Sequence, residues 1–204
     1  MGTRDRRERQ KQATRDGILS AALQIARMEG WAAVTVRRVA ELIEYSPPII
    51  YEYFANKDAL LEELQSQGFA LLAAATRAAS TGEGDPRERL LNVGDAYLRF
   101  AYEQPELYQI MHGWNSAAVS LEKTLPKATQ VAEIVQDCLE DWAAVQKIIL
   151  PDPTAAVETA WGLMHGLVSV EMLGRIGGGE ERVRQLARQA MEDLLFAWHS
   201  RGGQ

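Results

Sequence analysis

Thr35-Val36-Arg37-Arg38-Val39-Ala40-Glu41-Leu42-Ile43-Glu44-Tyr45-Ser46-Pro47-Pro48-Ile49-Ile50-Tyr51-Glu52-Tyr53-Phe54 holds two short helical signals with a turn between them. Thr35 is a good N-cap for the first, which carries Val36, Val39, Ala40 and Ile43. Glu44 and Tyr45 make the turn. Ser46 caps the second, with Pro47 at its first position, where a missing N–H costs nothing. Helices this short are marginal alone and need a third to bury their apolar faces. The stretch 15–29 supplies it, with Ile18, Ala22, Ile25, Ala26 and Met28 on one face and Gly30 as the residue that ends it. Three helices in this order form a helix-turn-helix unit.

The rest of the chain reads as helix as well. Residues 58–79 carry Leu60, Leu61, Leu64, Leu71 and Leu72 at helical spacing. Ser80 to Gly84 is a break. Asp85-Pro86-Arg87-Glu88 then has the form of a capping box, opening a helix with Leu90, Leu91, Val93, Tyr97, Leu98 and Ala101. Pro105 starts a short helix to about Gly113, and another runs from Ser120 or Lys127 to Leu150. Pro151-Asp152-Pro153 stops it, and Thr154 begins a helix to about Arg175. After three glycines, a last helix over 180–198 shows Val183, Leu186, Ala190, Leu194 and Ala197 on one face. The expected class is all-α, with about nine helices, no sheet and no repeats.

The chain of 204 residues has a net charge of -6, which at first argues against a nucleic-acid partner. That charge is unevenly spread. Residues 1–15 hold Arg4, Arg6, Arg7, Arg9, Lys11 and Arg15 against Asp5 and Glu8, a local +4. Residues 1–60 carry +2 and residues 61–204 carry -8. A basic head on an acidic body is expected to meet DNA with the head alone.

A single cysteine, Cys138, excludes an internal disulfide framework and a multi-cysteine metal site. No apolar run approaches the ~18 residues that span a bilayer, and the charged start lacks the apolar core of a secretory signal. A cytoplasmic protein is expected. There is no phosphate-binding glycine loop, no nucleophile elbow and no His-x-x-x-His spacing, and no cofactor is called for. A small helical enzyme using His112 or His165 is the rival class.

The Thr35–Ala40 segment, followed by Ile50-Tyr51-Glu52-Tyr53-Phe54-Ala55-Asn56-Lys57-Asp58-Ala59-Leu60-Leu61, resembles the N-terminal domain of the tetracycline-repressor (TetR) family. Ile18-Leu19, Ala21-Ala22 and Gly30 upstream add to the likeness, which covers about residues 11–71. Trp161, His165 and Gly166 are similar to a Trp-x-x-x-His-Gly signature in the C-terminal domain of one subgroup. The resemblance implies a basic arm over 1–10, a DNA-binding domain over 11–71 with its motif at about 34–53, and a ligand-sensing and dimerisation domain over 72–204. Family members usually carry Gly where this chain has Glu44, and the Pro47-Pro48 pair is less usual.

On this reading the second short helix is the recognition helix. Pro47, Pro48 and Ile49 would touch thymine methyl groups, and Tyr51 and Tyr53 would reach phosphates or base edges. Lys57 would lie near the backbone, and Thr35 and Ser46 would offer cap hydroxyls and helix-start amides to phosphates. Arg37 and Arg38 would project from the helix that crosses the backbone, and the arginines of 4–15 would form a flexible arm. The same residues have plainer roles open to them: Phe54 and Tyr51 as core, Arg37 and Arg38 as solvated charges, the arm as a solubilising tail.

In the body, Gly162 and Gly166 would let backbones approach. Val170, Leu173, Leu186, Met191, Leu194 and Trp198, with Leu167, would supply the apolar area of a four-helix homodimer interface. Two recognition helices about 34–36 Å apart would then read a pseudo-palindromic operator in double-stranded DNA. Tyr97, Phe100, Tyr108, Met111, His112, Trp114, Trp142, Met164 and His165 are candidates to line a pocket for an apolar or aromatic effector, or to be ordinary bundle core. The expected function is a dimeric repressor released by an effector. A helical adaptor, or an activator of the same fold without effector control, is the alternative.

Overall fold

Arg4 to Asp16 contains neither glycine nor proline and is rich in good helix formers, and the first helix takes it in whole. The helix α1 (Thr3–Glu29) therefore replaces the flexible arm expected at the N-terminus, and its residues 4–13 are all exposed. It ends where Gly30 takes φ 83°. A 3-10 turn (Trp31–Ala33) leads to α2 (Val36–Leu42), α3 (Pro47–Tyr53) and α4 (Lys57–Ser80). Then come α5 (Pro86–Glu103), α6 (Pro105–Met111), α7 (Leu121–Gln146), α8 (Pro153–Met172) and α9 (Gly179–Gly202). The computed structural model describes residues 3–82, 84–113 and 121–202, and among them the fold is all-α, with nine α-helices and no strand.

The chain divides into two compact units. The first, the head, comprises the described residues of Met1–Gly68 and Glu106–Thr124; the second, the body, those of Phe69–Pro105 and Leu125–Gln204. The helix α4 contributes to both. The segment Glu106–Met111 packs in the head unit, although it lies within the stretch expected to form the body. Arg27 donates to both carboxylate oxygens of Glu106 at 3.2 Å, and Gln65 donates to the Ile110 carbonyl at 3.5 Å. A Cβ on Gly68 would collide with the Met111 sulfur, so α4 and α6 pack closely there.

Ile18, Ala22 and Ile25 of α1 form the head core with Trp31, Val34, Val39, Ile50, Phe54, Leu60, Leu61 and Leu64. Met28 and Leu71, expected on buried faces, are 77% and 51% exposed. Arg15 ties the layers together, pairing with Glu63 at 2.8 Å while its guanidinium lies 5.2 Å from the Phe54 ring centre.

In the body, Asp85 caps α5 by accepting from the Arg87 amide at 3.0 Å. The reciprocal half of the expected capping box is diverted, because Arg188 and Arg87 hold the Glu88 carboxylate at 3.0 Å each. Pairs Arg87–Glu192, Arg89–Asp141 and Arg184–Asp95 knit α5 to α9 and α7. The buried face of α9 is Val183, Ala187, Met191 and Leu195. The face expected there, with Leu186, Ala190, Leu194 and Ala197, is half-exposed beside it. The helix α7 ends at Gln146, four residues earlier than expected, because Lys147 takes φ 57° and closes the helix. Asp152 caps α8 through the Ala155 amide at 2.9 Å. Cys138 is buried in the body, and burial pushes its thiol pKa up, as suits an inert core residue.

Candidate nucleic-acid interface

The turn between α2 and α3 keeps its shape without glycine. Glu44 itself takes φ 59°. The Tyr45 amide donates to the Ala40 carbonyl at 2.9 Å and the Glu44 amide to the Glu41 carbonyl at 3.2 Å. Those two bonds form a Schellman closure, with Glu44 in the left-handed position. Thr35 caps α2 as expected, accepting from the Arg38 amide at 3.1 Å.

Ser46 occupies the cap position of α3 but makes no side-chain cap bond. Pro47 and Pro48 have no amide to offer it. The next amide, Ile49, donates to the Ser46 carbonyl at 3.0 Å. The helix-start amides expected to meet a phosphate are therefore missing or taken, and the exposed Ser46 hydroxyl is what that end of α3 presents.

The helix α3 buries Ile50 completely, and Phe54 just after it is 5% exposed. Phe54 is core. Tyr51 is 55% exposed, which settles it as a surface residue. Pro47 and Pro48 are exposed, and Ile49, Tyr53 and Lys57 are half-buried. Asn56 opens α4 by accepting from the Ala59 amide at 2.8 Å, which places Lys57 at that helix's first residue.

Arg37 and Arg38 are exposed but engaged. Arg37 pairs with Glu41 at 3.1 Å; Arg38 pairs with Glu29 at 2.7 Å and Glu41 at 3.4 Å. The two guanidiniums hold the Glu41 carboxyl below the usual carboxylate range. A phosphate would have to displace these carboxylates.

Two features escaped the sequence reading. Tyr45, in the turn, is 45% exposed. The helical start of α1 forms a wall beside α3, and an open groove of about 450 Å3 lies between them. Arg7, Glu8 and Lys11 line it from α1; Tyr45, Glu52 and Tyr53 line it from the turn and α3. The signal available in sequence was the helix-forming composition of residues 4–16, outweighed there by their charge.

The expected effector residues divide between the units. Tyr108, Met111 and His112 lie in the head unit, with Tyr108 and His112 edge to face at 4.5 Å. Tyr97, Phe100, Trp142 and Met164 are buried in the body. Met164 approaches to 3.1 Å of the point where Gly94 would carry a Cβ. His165 stacks on Trp161 at 5.3 Å and faces the Ser169 hydroxyl at 3.4 Å; burial lowers its pKa. Trp114 lies outside the described residues.

Of the residues expected at a dimer interface, Met191 is buried inside the body and is not surface. Gly162, Val170 and Leu173 are exposed; Gly166, Leu186, Leu194 and Trp198 are half-buried. Phe196, which the sequence reading passed over, is 74% exposed.

A capped two-helix element, closed over α1 and presenting α3 to solvent, is that of a helix-turn-helix DNA-binding regulator. Residues 18–64 match the family model of bacterial regulatory proteins, tetR family, and residues 90–194 match that of the tetracyclin repressor-like C-terminal domain. The chain belongs to the TetR family of DNA-binding transcriptional regulators. It is similar to the uncharacterised HTH-type transcriptional regulator YobS of Bacillus subtilis, with 27% identity across 89% of this chain and 85% of the relative. It is 36% identical to the HTH-type transcriptional repressor KstR of Mycolicibacterium smegmatis over 44% of this chain and 42% of that one. The fold is shared with a putative transcriptional regulator from Pseudomonas aeruginosa PAO1, at a TM-score of 0.75 and 19% identity, over 94% of this chain and 95% of the other. No helix among the described residues is long and apolar enough to cross a membrane.

Proposed function

We propose that the chain acts in the cytoplasm as a homodimeric repressor whose hold on its operator is released by a small apolar or aromatic effector. One observation carries the dimer. Trp161 and Val170 of α8, Leu173 at its C-cap and Phe196 of α9 are 50%, 39%, 67% and 74% exposed. Beside them Gly162 and Gly166 have nothing within 4 Å of where a Cβ would stand. Large apolar side chains around bare backbone suit the close approach of a second copy. Two heads would then present two copies of α3 to successive turns of the major groove, with Tyr45, Ser46, Tyr51, Tyr53 and Lys57 as contacts. Thr35, Pro47, Pro48 and Ile49 would complete the surface, and Arg37 and Arg38 would join once phosphates replace their carboxylates.

Repression is supported by the partial likeness to KstR, itself named a repressor. For the effector, the supporting feature is that Tyr97, Phe100, Trp142 and Met164 are all buried in the body, where the flexible methionine would yield to an apolar ligand. Tyr108, Met111 and His112 of the head unit, and His165 of the body, are further candidates. The helix α4, shared by both units, would carry the effect to the head by pivoting.

A gel-shift assay on DNA upstream of the chain's own gene tests this. Salt-sensitive, sequence-selective binding by two chains per site is expected, with derepression in a reporter when the effector is supplied. Binding no tighter than to scrambled DNA would overturn it.

A further inference from the structure

The helix α3 turns Ile50 inward, and at 100° per residue Pro48 and Glu52 lie opposite it, with Tyr51 on the flank and Pro47 at the helix start. All four are exposed. The two prolines have no side-chain donor or acceptor. Hydrogen-bonding capacity on the outward face therefore rests on the Tyr51 hydroxyl and the Glu52 carboxylate. Glu52 is the acidic residue of α3, and no ion pair engages it among the described residues. Arg7 and Lys11 line the same groove without reaching it.

An acidic side chain carried into the major groove is repelled by the phosphates. It is tolerated where a base edge donates to it. Two bases have an amino donor there, cytosine at N4 and adenine at N6. Adenine flanks its amino group with acceptors, N7 on one side and thymine O4 across the pair. Cytosine has a C5–H on one side, where the second carboxylate oxygen meets no lone pair. We infer that Glu52 is a specificity-determining residue that accepts a hydrogen bond from the N4 amino group of a cytosine in each half-site. Arg7 and Lys11, on the opposite wall of the groove, offset its charge and carry the flanking phosphates.

This rests on α3 being the recognition helix. It makes a distinctive prediction, because a glutamine at the same place both donates and accepts, and so pairs with adenine N6 and N7. The test selects an operator from random duplexes with the full chain. It then measures binding of the parent, E52Q and E52A by fluorescence anisotropy to that operator and to each single-pair variant. The parent should prefer C·G at one position per half-site by roughly tenfold. E52Q should prefer adenine there. E52A should show no preference at that position and bind random duplex severalfold tighter at low salt. Glu52 is exposed, so all three should melt alike by circular dichroism. If both variants keep the parent's ranking at every position, Glu52 reads no base. If the parent selects no sequence, the recognition-helix reading falls and this inference with it.

Discussion

The head and the body bury their apolar residues by different rules. In the head, each short helix has one way to sit. The helix α2 is capped by Thr35 and closed by Glu44, and α3 turns Ile50 inward beside Phe54. In the body, the long α9 has two adjoining apolar faces. Val183, Ala187, Met191 and Leu195 face inward, while Leu186, Ala190, Leu194 and Ala197 are half-exposed. A short element that depends on its caps declares its geometry in sequence. A long helix with apolar residues on more than one side does not say which side faces its own core.

Single truncations should expose that contrast most strongly. Ile50→Ala in the head and Met191→Ala in the body should each cost about 2–4 kcal/mol in chemical denaturation. Leu194→Ala, beside Met191 on the other apolar face, should cost under about 1 kcal/mol of the single chain's stability. Equal losses at Met191 and Leu194 would break the assignment of faces.

The exposed apolar side chains of α8 and α9 come next. Leu173→Asp with Phe196→Asp should weaken self-association by about 2–4 kcal/mol, read by analytical ultracentrifugation, and leave helicity unchanged. A pair of substitutions that leaves association intact would place the interface elsewhere.

A smaller effect compares two Schellman closures. Glu44 ends α2 in the left-handed region, and Gly174 does the same for α8 at φ 68°. Glu44→Gly should stabilise by about 0.5–1 kcal/mol and Gly174→Ala should destabilise by about 1 kcal/mol, both read from thermal melts. Parallel signs would show that the two turns are not equivalent.

The smallest effect is a pH dependence. Burial lowers the His165 pKa, so the unfolded chain binds its proton more readily than the folded body does. That contribution to stability is complete above the unfolded value of about 6.5 and is lost as the pH falls through and below it. His165→Asn should flatten this part of the dependence of Tm on pH.

Much of the head was legible in the sequence because its signals are local. Thr35, Gly30, the Glu44 turn and the spacing from Val39 to Phe54 all act within a few residues. The start of α1 was misread because its charge suggested an arm, while its uninterrupted helix formers decided the outcome. Ser46 has the residue type of a side-chain cap but makes no such bond, because two successive prolines remove the first amides of α3 and the third bonds the Ser46 carbonyl. In the body, Met191 was placed on the surface and Phe196 was missed, because hydrophobicity alone does not distinguish a face turned to the core from one turned outward. The place of Tyr45 and Glu52 at the edge of a groove depends on the wall formed by Arg7 and Lys11, a tertiary arrangement with no local signal.

The most direct test of a paired head reading DNA is selection of bound sequences from a random duplex pool by the purified chain. The enriched motif should be an inverted repeat with half-site centres about 10 base pairs, one helical turn, or a multiple of that apart. No enrichment, or a lone half-site without symmetry, would contradict it.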